Sequence, residues 1–404
     1  AHKMKVCKGD GIKEIKGKSS RMKKSNLLLD LIGRLSALLI LVLTLGSPFQ
    51  PSPAYSAALS ASASAAVMKL VQFCNNPATG FDVQAASTLL DSVLASKSKR
   101  EAALPQLLDC TGAYYEFDTM IKFQNFLEYS YNPQIPSALT RPTSLRYSLW
   151  TGPGGEWNKM PDISKLAPPA SGQTIVHGFQ HDSNTPDLTT GVYHEYDLKR
   201  SMILTHHKGQ RALISISKQI RPSNVGKKGA ILGIDDQWHY YYSGEPGSQM
   251  SGLGWVKSYI YDYFSIIVYL DSGTLPERVR TGVFQWLRAG WSGINFVRTR
   301  HILEGLKRFA RGSKSILESP SLPAPFQVAS ACQTFLSLPQ SDLLEKYTAL
   351  RMAQQSSALL AGKITPREIK KRDFFANISR EQMVEELMLE YLKSTLGMRS
   401  GTVS

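Results

Sequence analysis

The chain of 404 residues carries 47 Lys and Arg against 32 Asp and Glu, a net charge of +15. Residues 1–58 hold 10 of the basic and 3 of the acidic residues, which leaves 37 against 29, or +8, in the remainder. A balance of that size in an exported chain points to an anionic lipid, glycan or envelope surface and excludes nucleic acid as the expected partner. The absence of any CxxC pair among the four cysteines excludes finger-type structural zinc.

The first 58 residues read as a leader. Lys23 and Lys24 precede Leu27–Leu29 and the apolar run Leu35–Leu45, the order of a basic n-region and a short h-region. The run is about half the roughly 20 residues that a spanning helix needs, and Asp30 and Arg34 interrupt anything longer. Small residues at Ser56 and Ala58 follow a Pro-rich stretch and suit cleavage, so the expected location is secreted or periplasmic. Ala1–Arg21, upstream of Met22, reads as an extension.

Residues 59–143 carry a helical pattern. Met68, Leu70, Val71 and Phe73 share a face; Ala85, Leu89, Leu90 and Val93 follow Asp82, a candidate N-cap; Met120 to Leu127 follow Asp118. Cys74 is expected to end the first helix and Cys110 the third. An up-down-up arrangement brings those ends to one level, which predicts a disulfide between Cys74 and Cys110 and leaves Cys332 as a buried thiol among Phe326, Val328 and Phe335.

From 144 to 272 the period shortens to two and the composition turns aromatic and β-branched. Strands are expected over Thr174–His181, Gly191–Leu198, Ser201–His206 and Ala212–Gln219, with tight turns at Asp197–Arg200 and His207–Gln210. Ala230–Ile234 and Trp238–Ser243 add two more around Asp235-Asp236. Trp255–Leu270 reads as one bent strand or two. Residues 273–404 return to helix: Pro276 to Gly290, about Asn295 to Gly312, and two capping boxes at Thr365–Glu368 and Ser379–Gln382. The fold class is therefore α+β, a central antiparallel sheet or meander flanked by N-terminal and C-terminal helical segments.

Four features bear on chemistry. On one strand His177 and His181 share a face, and with His194 from a neighbouring strand they suggest a metal-dependent hydrolase, although no spacing of the HExxH kind supports it. Gly290-Trp291-Ser292-Gly293 falls short of a nucleophile elbow, and the adjacent Asp235 and Asp236 read as a turn. Trp238, Tyr240, Trp255, Tyr259, Tyr261 and Tyr263 crowd the sheet, the last four on a common strand face that suits either core packing or a groove for an apolar or lipid-like ligand. Arg300, Lys307, Arg311 and Lys314 form a basic stripe on an amphipathic helix that suits an anionic membrane surface. The reading that follows is an exported binding or structural module without a cofactor or metal, with the hydrolase as its rival.

Overall fold

Strict alternation builds the centre of the molecule. In the computed structural model, which describes residues 60–95, 100–154, 158–166, 172–250, 254–273, 276–369 and 378–398, eight antiparallel strands form one curled sheet in the order β1-β2-β13-β12-β7-β6-β4-β3. The expected leader lies outside the described residues. The strands are β1 (Glu101–Leu107), β2 (Cys110–Thr119), β3 (Leu145–Thr151), β4 (Gln173–Asn184), β6 (Glu195–His207), β7 (Gln210–Gln219), β12 (Tyr259–Asp271) and β13 (Val279–Gly290). A three-stranded sheet joins β5 (Val192–Tyr193), β8 (Lys227–Ile231) and β9 (Tyr240–Pro246), and β10 (Ser248–Met250) pairs with β11 (Gly254–Val256). Helices flank this core on both sides, so the fold is α+β with a central antiparallel sheet.

Each face of the large sheet has its own cover. Helices α1 (Ala61–Asn75) and α2 (Val83–Leu94) bury Val67, Leu70, Leu89 and Val93 against Ile214, Ile216, Phe264, Ile266 and Trp286 on one face. Ser60 and Asp82 cap them, as the sequence predicts for Asp82, whose side chain accepts from the Ala85 N–H at 2.8 Å. The other face lies under α3 (Phe123–Tyr131), α4 (Thr299–Leu317) and α8 (Arg380–Thr395), with α5 (Pro325–Ser337), α6 (Gln340–Leu360) and the short α7 (Pro366–Ile369) farther along the chain.

Four expectations are corrected. The helix expected to end at Cys110 is instead the hairpin β1–β2, turned at Leu108 and Asp109, whose φ values of 51° and 59° supply the left-handed pair that a two-residue hairpin turn needs, whereas the helix expected over Met120 to Leu127 forms as α3. Gly191–Leu198 and Ser201–His206 are not separate strands: Asp197–Arg200 runs straight through the long β6. Pro276–Gly290 is not a helix, because Val279, Thr281 and Val283 alternate inward and seat β13 between β2 and β12. Gly312 does not end α4 but lies inside it, where an added Cβ would come within 2.4 Å of Thr143. Of the two readings of Trp255–Leu270 the chain takes the second: it breaks at Lys257-Ser258 into β11 and β12, and an extra residue at Tyr261 shifts the β12–β13 register.

Candidate functional site: a cationic chamber inside the sheet

The face of the sheet toward α3 and α8 is polar at its centre. Register pairs Arg200 with Gly178 on β4 and with Ser217 on β7, and Ser217 with Ser265 on β12, so these four form one row across the sheet. At Gly178 the Trp150 ring takes the place of a side chain, lying 2.0 Å from where a Cβ would stand and closing that end of the row. Arg200 is 5 % exposed, and its guanidinium donates to Ser217 Oγ at 2.6 Å and to Ser215 Oγ at 2.7 Å, while its Nε–H has no partner among the described residues.

Around this row stand Tyr263, whose hydroxyl donates to Ser265 Oγ at 2.9 Å, and Tyr196, whose ring lies 6.0 Å from that of Tyr263. Asp182, paired across the strands with Tyr196, accepts from Ser148 Oγ at 2.7 Å, and Ser148 in turn accepts a close hydrogen bond from Gln180 Nε2. Glu385 of α8 closes the far side by accepting the Ser148 backbone N–H at 2.9 Å. Arg141, in the connection after α3, donates to the Tyr131 hydroxyl at 3.3 Å. Beside Arg141 a cavity of about 10 Å³, room for one water, is lined by Ser130, Thr140, Tyr269 and Thr281 and by the rings of Phe126 and Phe309.

Burial sets the charge state of this chamber. Burial raises the Asp182 carboxyl above its ordinary range, against the Ser148 hydrogen bond and the nearby Arg200 and Arg141. It raises Glu385 much further, with the Ser148 N–H opposing and Asp182 and Glu386 adding to the rise. The Tyr196 and Tyr263 hydroxyls are pushed up as well, so both remain donors. The acids are thus driven toward their neutral forms while the two guanidiniums stay charged, and neither Arg200 nor Arg141 forms an ion pair with a carboxylate among the described residues.

No family model, no curated protein and no solved structure matches the chain. Its chemistry has to be read from the side chains alone.

The expected aromatic groove is divided. Tyr263 belongs to the chamber, whereas Trp238 and Tyr240 are 1 % and 2 % exposed in the core, where the Tyr240 hydroxyl donates to Asp235 at 2.8 Å and Arg308 of α4 ties both together. Tyr259 and Tyr261 stack at 6.1 Å near the surface, and Trp255 is 50 % exposed on β11. The four residues expected on one strand face are split by the break at Lys257 and the bulge at Tyr261.

The three histidines do not converge. His177 and His181 do share a face, but four residues along a strand is about 13 Å. His177 is hydrogen-bonded to Ser201 at 2.8 Å and lies against Phe73 of α1; His181 pairs with Asp197 at 2.7 Å; His194 lies near Ser258, and burial pushes its pKa down to about 4. Among the described residues no group of three or more His, Cys, Asp or Glu is placed to hold a metal ion.

The basic stripe on α4 is largely neutralised. Lys307 meets Glu101, Lys314 meets Glu318 at 2.8 Å, Arg311 lies 3.5 Å from Asp236 and Arg300 lies 3.9 Å from Glu304. The expected disulfide does not form. Cys74, Cys110 and Cys332 are all free and buried, Cys74 donating to backbone carbonyls of β6 and β7 and Cys110 to that of Asp262. The reason is the hairpin: Cys110 starts β2 instead of ending a helix parallel to α1.

The sequence reading missed Arg141, Asp182, Arg200 and Glu385. One signal was available: Tyr196, Leu198, Arg200, Met202 and Leu204 alternate on β6, and an arginine at an inward position of such a run marks a buried charge. The companion Ile214-Ser215-Ile216-Ser217 shows the same alternation, small hydroxyl residues on one face and apolar ones on the other.

Proposed function

We propose that the protein is an exported binding module of the cell envelope whose chamber receives the anionic head of a small amphipathic ligand, a carboxylate or phosphate. The carrying observation is Arg200, a guanidinium 5 % exposed, held by two serine hydroxyls and in ion-pair contact with no carboxylate among the described residues, while its electrostatic neighbour Asp182 is pushed by burial toward the neutral acid. A buried charge of that kind is costly unless a counter-ion completes it. Arg141 supplies the second positive charge, and Tyr196 and Tyr263 supply neutral donors that prefer an anion to a cation.

The apolar side of the ligand is supported by the phenyl rings of Phe117, Phe126 and Phe309 beside Arg141. The free space there has room for one water, so head group and tail alike call for a shift of α3 or α4. Export is supported by the basic and then apolar order of Lys23 to Leu45. The rival hydrolase has no converging ligands on which to rest.

Octanoate, octyl phosphate and octanol, titrated separately against the protein with intrinsic tryptophan fluorescence as readout, separate the head from the tail. The two anions saturate and octanol does not; Arg200→Gln weakens both anions by about 10-fold or more, the loss expected for a charge-assisted contact. Equal binding of octanol and octanoate, or an unchanged affinity in Arg200→Gln, contradicts the reading. Arg141→Gln serves as a second variant where Arg200→Gln does not fold.

A further inference from the structure

A second surface lies at the end of the sheet where β12 begins and β13 stops. Tyr259 pairs with Gly290 and Ile260 with Ala289, so β12 enters at this end and the loop 291–298 leaves it. Lys257, Arg288, Arg298 and Arg300 belong to these segments, and the acid nearest in the register, Asp262 opposite Arg288, is bound to Lys218. Lys257, Arg288 and Arg298 meet no carboxylate among the described residues, and Arg300 meets only Glu304 at 3.9 Å.

The loop that leaves this end presents large apolar side chains to solvent, Ile294 being 55 % exposed and Phe296 41 %, and Trp255, four residues before Tyr259 on β11, is 50 % exposed. Its backbone is well fixed. The Gly293 N–H donates to the Tyr261 hydroxyl at 2.7 Å, the Phe296 N–H to the Ala289 carbonyl at 2.9 Å, and Asn295 Oδ1 accepts from the Ala289 and Val297 N–H groups. The Trp291 and Phe296 rings stack at 3.9 Å, and the Arg288 guanidinium lies 5.3 Å above the Tyr261 ring. Ile294 and Phe296 are therefore held outward by a braced loop, with cations around them.

We infer that this edge, Trp255, Ile294 and Phe296 framed by Lys257, Arg288, Arg298 and Arg300, docks on an anionic phospholipid surface. Aromatic and aliphatic side chains at head-group depth with basic residues at the phosphates are the chemistry of peripheral attachment. Charge complementarity selects the lipid: Lys257, Arg288 and Arg298, none of them in an ion pair with a carboxylate among the described residues, attract an anionic bilayer and gain little from a neutral one. Among the described residues no helix is long and apolar enough to cross a membrane, which leaves surface attachment as the mode for this part of the chain. The edge takes over the role expected of the α4 stripe, whose Lys307, Arg311 and Lys314 are offset by Glu101, Asp236 and Glu318.

The test uses the full chain with Cys7→Ser and Ile294→Cys, labelled with an environment-sensitive fluorophore, and vesicles of phosphatidylglycerol with phosphatidylcholine. A label at residue 294 reports the local depth, independent of any binding by the leader. The emission is expected to shift to the blue on these vesicles, to stay unchanged on pure phosphatidylcholine and to revert at high salt. The same label at Leu360, 89 % exposed on α6, is expected not to respond. Removing two charges with Arg298→Gln and Arg300→Gln lowers partitioning of the labelled chain by roughly 25-fold, about 5-fold per charge. A label at 294 that stays in water while the chain binds vesicles, or an equal response on neutral vesicles, overturns the inference.

Discussion

The substitution Glu386→Ala removes an acid that meets two buried arginines, Arg146 and Arg351. Arg146 of β3 and Glu386 of α8 are 9 % and 6 % exposed and approach to 2.7 Å; Tyr347 of α6 donates to Glu386 at 2.9 Å, and Arg351 lies 3.7 Å away. At an effective dielectric of about 20, each of these charge pairs is worth roughly 4 kcal/mol before desolvation. Deleting the acid leaves both guanidiniums buried and uncompensated, a loss of about 4 kcal/mol. The compact unit Tyr55–Ser404 has about 350 residues, so its unfolding entropy is about 0.7 kcal/mol/K and the melting temperature should fall by about 6 °C. Differential scanning calorimetry measures the fall. The double variant Arg146→Met with Glu386→Leu should recover only part of the loss, since a packed apolar pair replaces one buried ion pair while Arg351 is still left without its acid. A single-variant fall under about 2 °C refutes the reasoning, for it means that water already screens the cluster.

Three further outcomes follow from local geometry. Gly312→Ala places a methyl group 2.4 Å from Thr143 Oγ1 and should destabilise the protein by about 1–3 kcal/mol in denaturant titration, whereas Gly305→Ala, with open space around it in the same helix, should stabilise it slightly. Burial opposes the protonated form of His181, but the hydrogen bond and charge of Asp197 raise its pKa above the ordinary value. The contribution of that pair is therefore complete below about pH 6.5 and is lost as the pH rises through the folded-state pKa, so His181→Ala should cost about 1 kcal/mol more at pH 5.5 than at pH 8. Burial pushes the Cys110 and Cys332 thiols up to about 12, and all three described cysteines should resist iodoacetamide in the native protein and react fully once it is unfolded.

Periodicity carried the middle of the chain well and its junctions poorly. The meander β4, β6 and β7 is visible in the alternation of Ile175, Val176 and Phe179, of Met202 and Leu204, and of Leu213 to Ser217, and the turn at Lys208-Gly209 is a hairpin signal in its own right. Capping chemistry placed Asp82 and Ser379 because it acts within four residues. What failed was long-range. Val279–Gly290 is flanked by proline and glycine as a helix would be, and only its position between β2 and β12 makes it a strand.

Gly312 looked like a helix terminator because its partner, Thr143, lies far away along the chain. The chamber was illegible for the same reason. Arg200 reads as part of a polar turn, Asp197-Leu198-Lys199-Arg200, until β6 is known to run through it and to aim Arg200 and Lys199 to opposite faces. Tyr263 alone was legible, through its aromatic neighbours, and the bulge at Tyr261 had separated it from them.

Native mass spectrometry of the full chain purified from the cells that make it shows directly whether the Arg200 site holds an anion. The account predicts one small anionic molecule per chain, released on denaturation and absent when Arg200→Gln is combined with Arg141→Gln in a chain that still folds. A chain that carries no such molecule and shows no saturable binding of octanoate or octyl phosphate contradicts it.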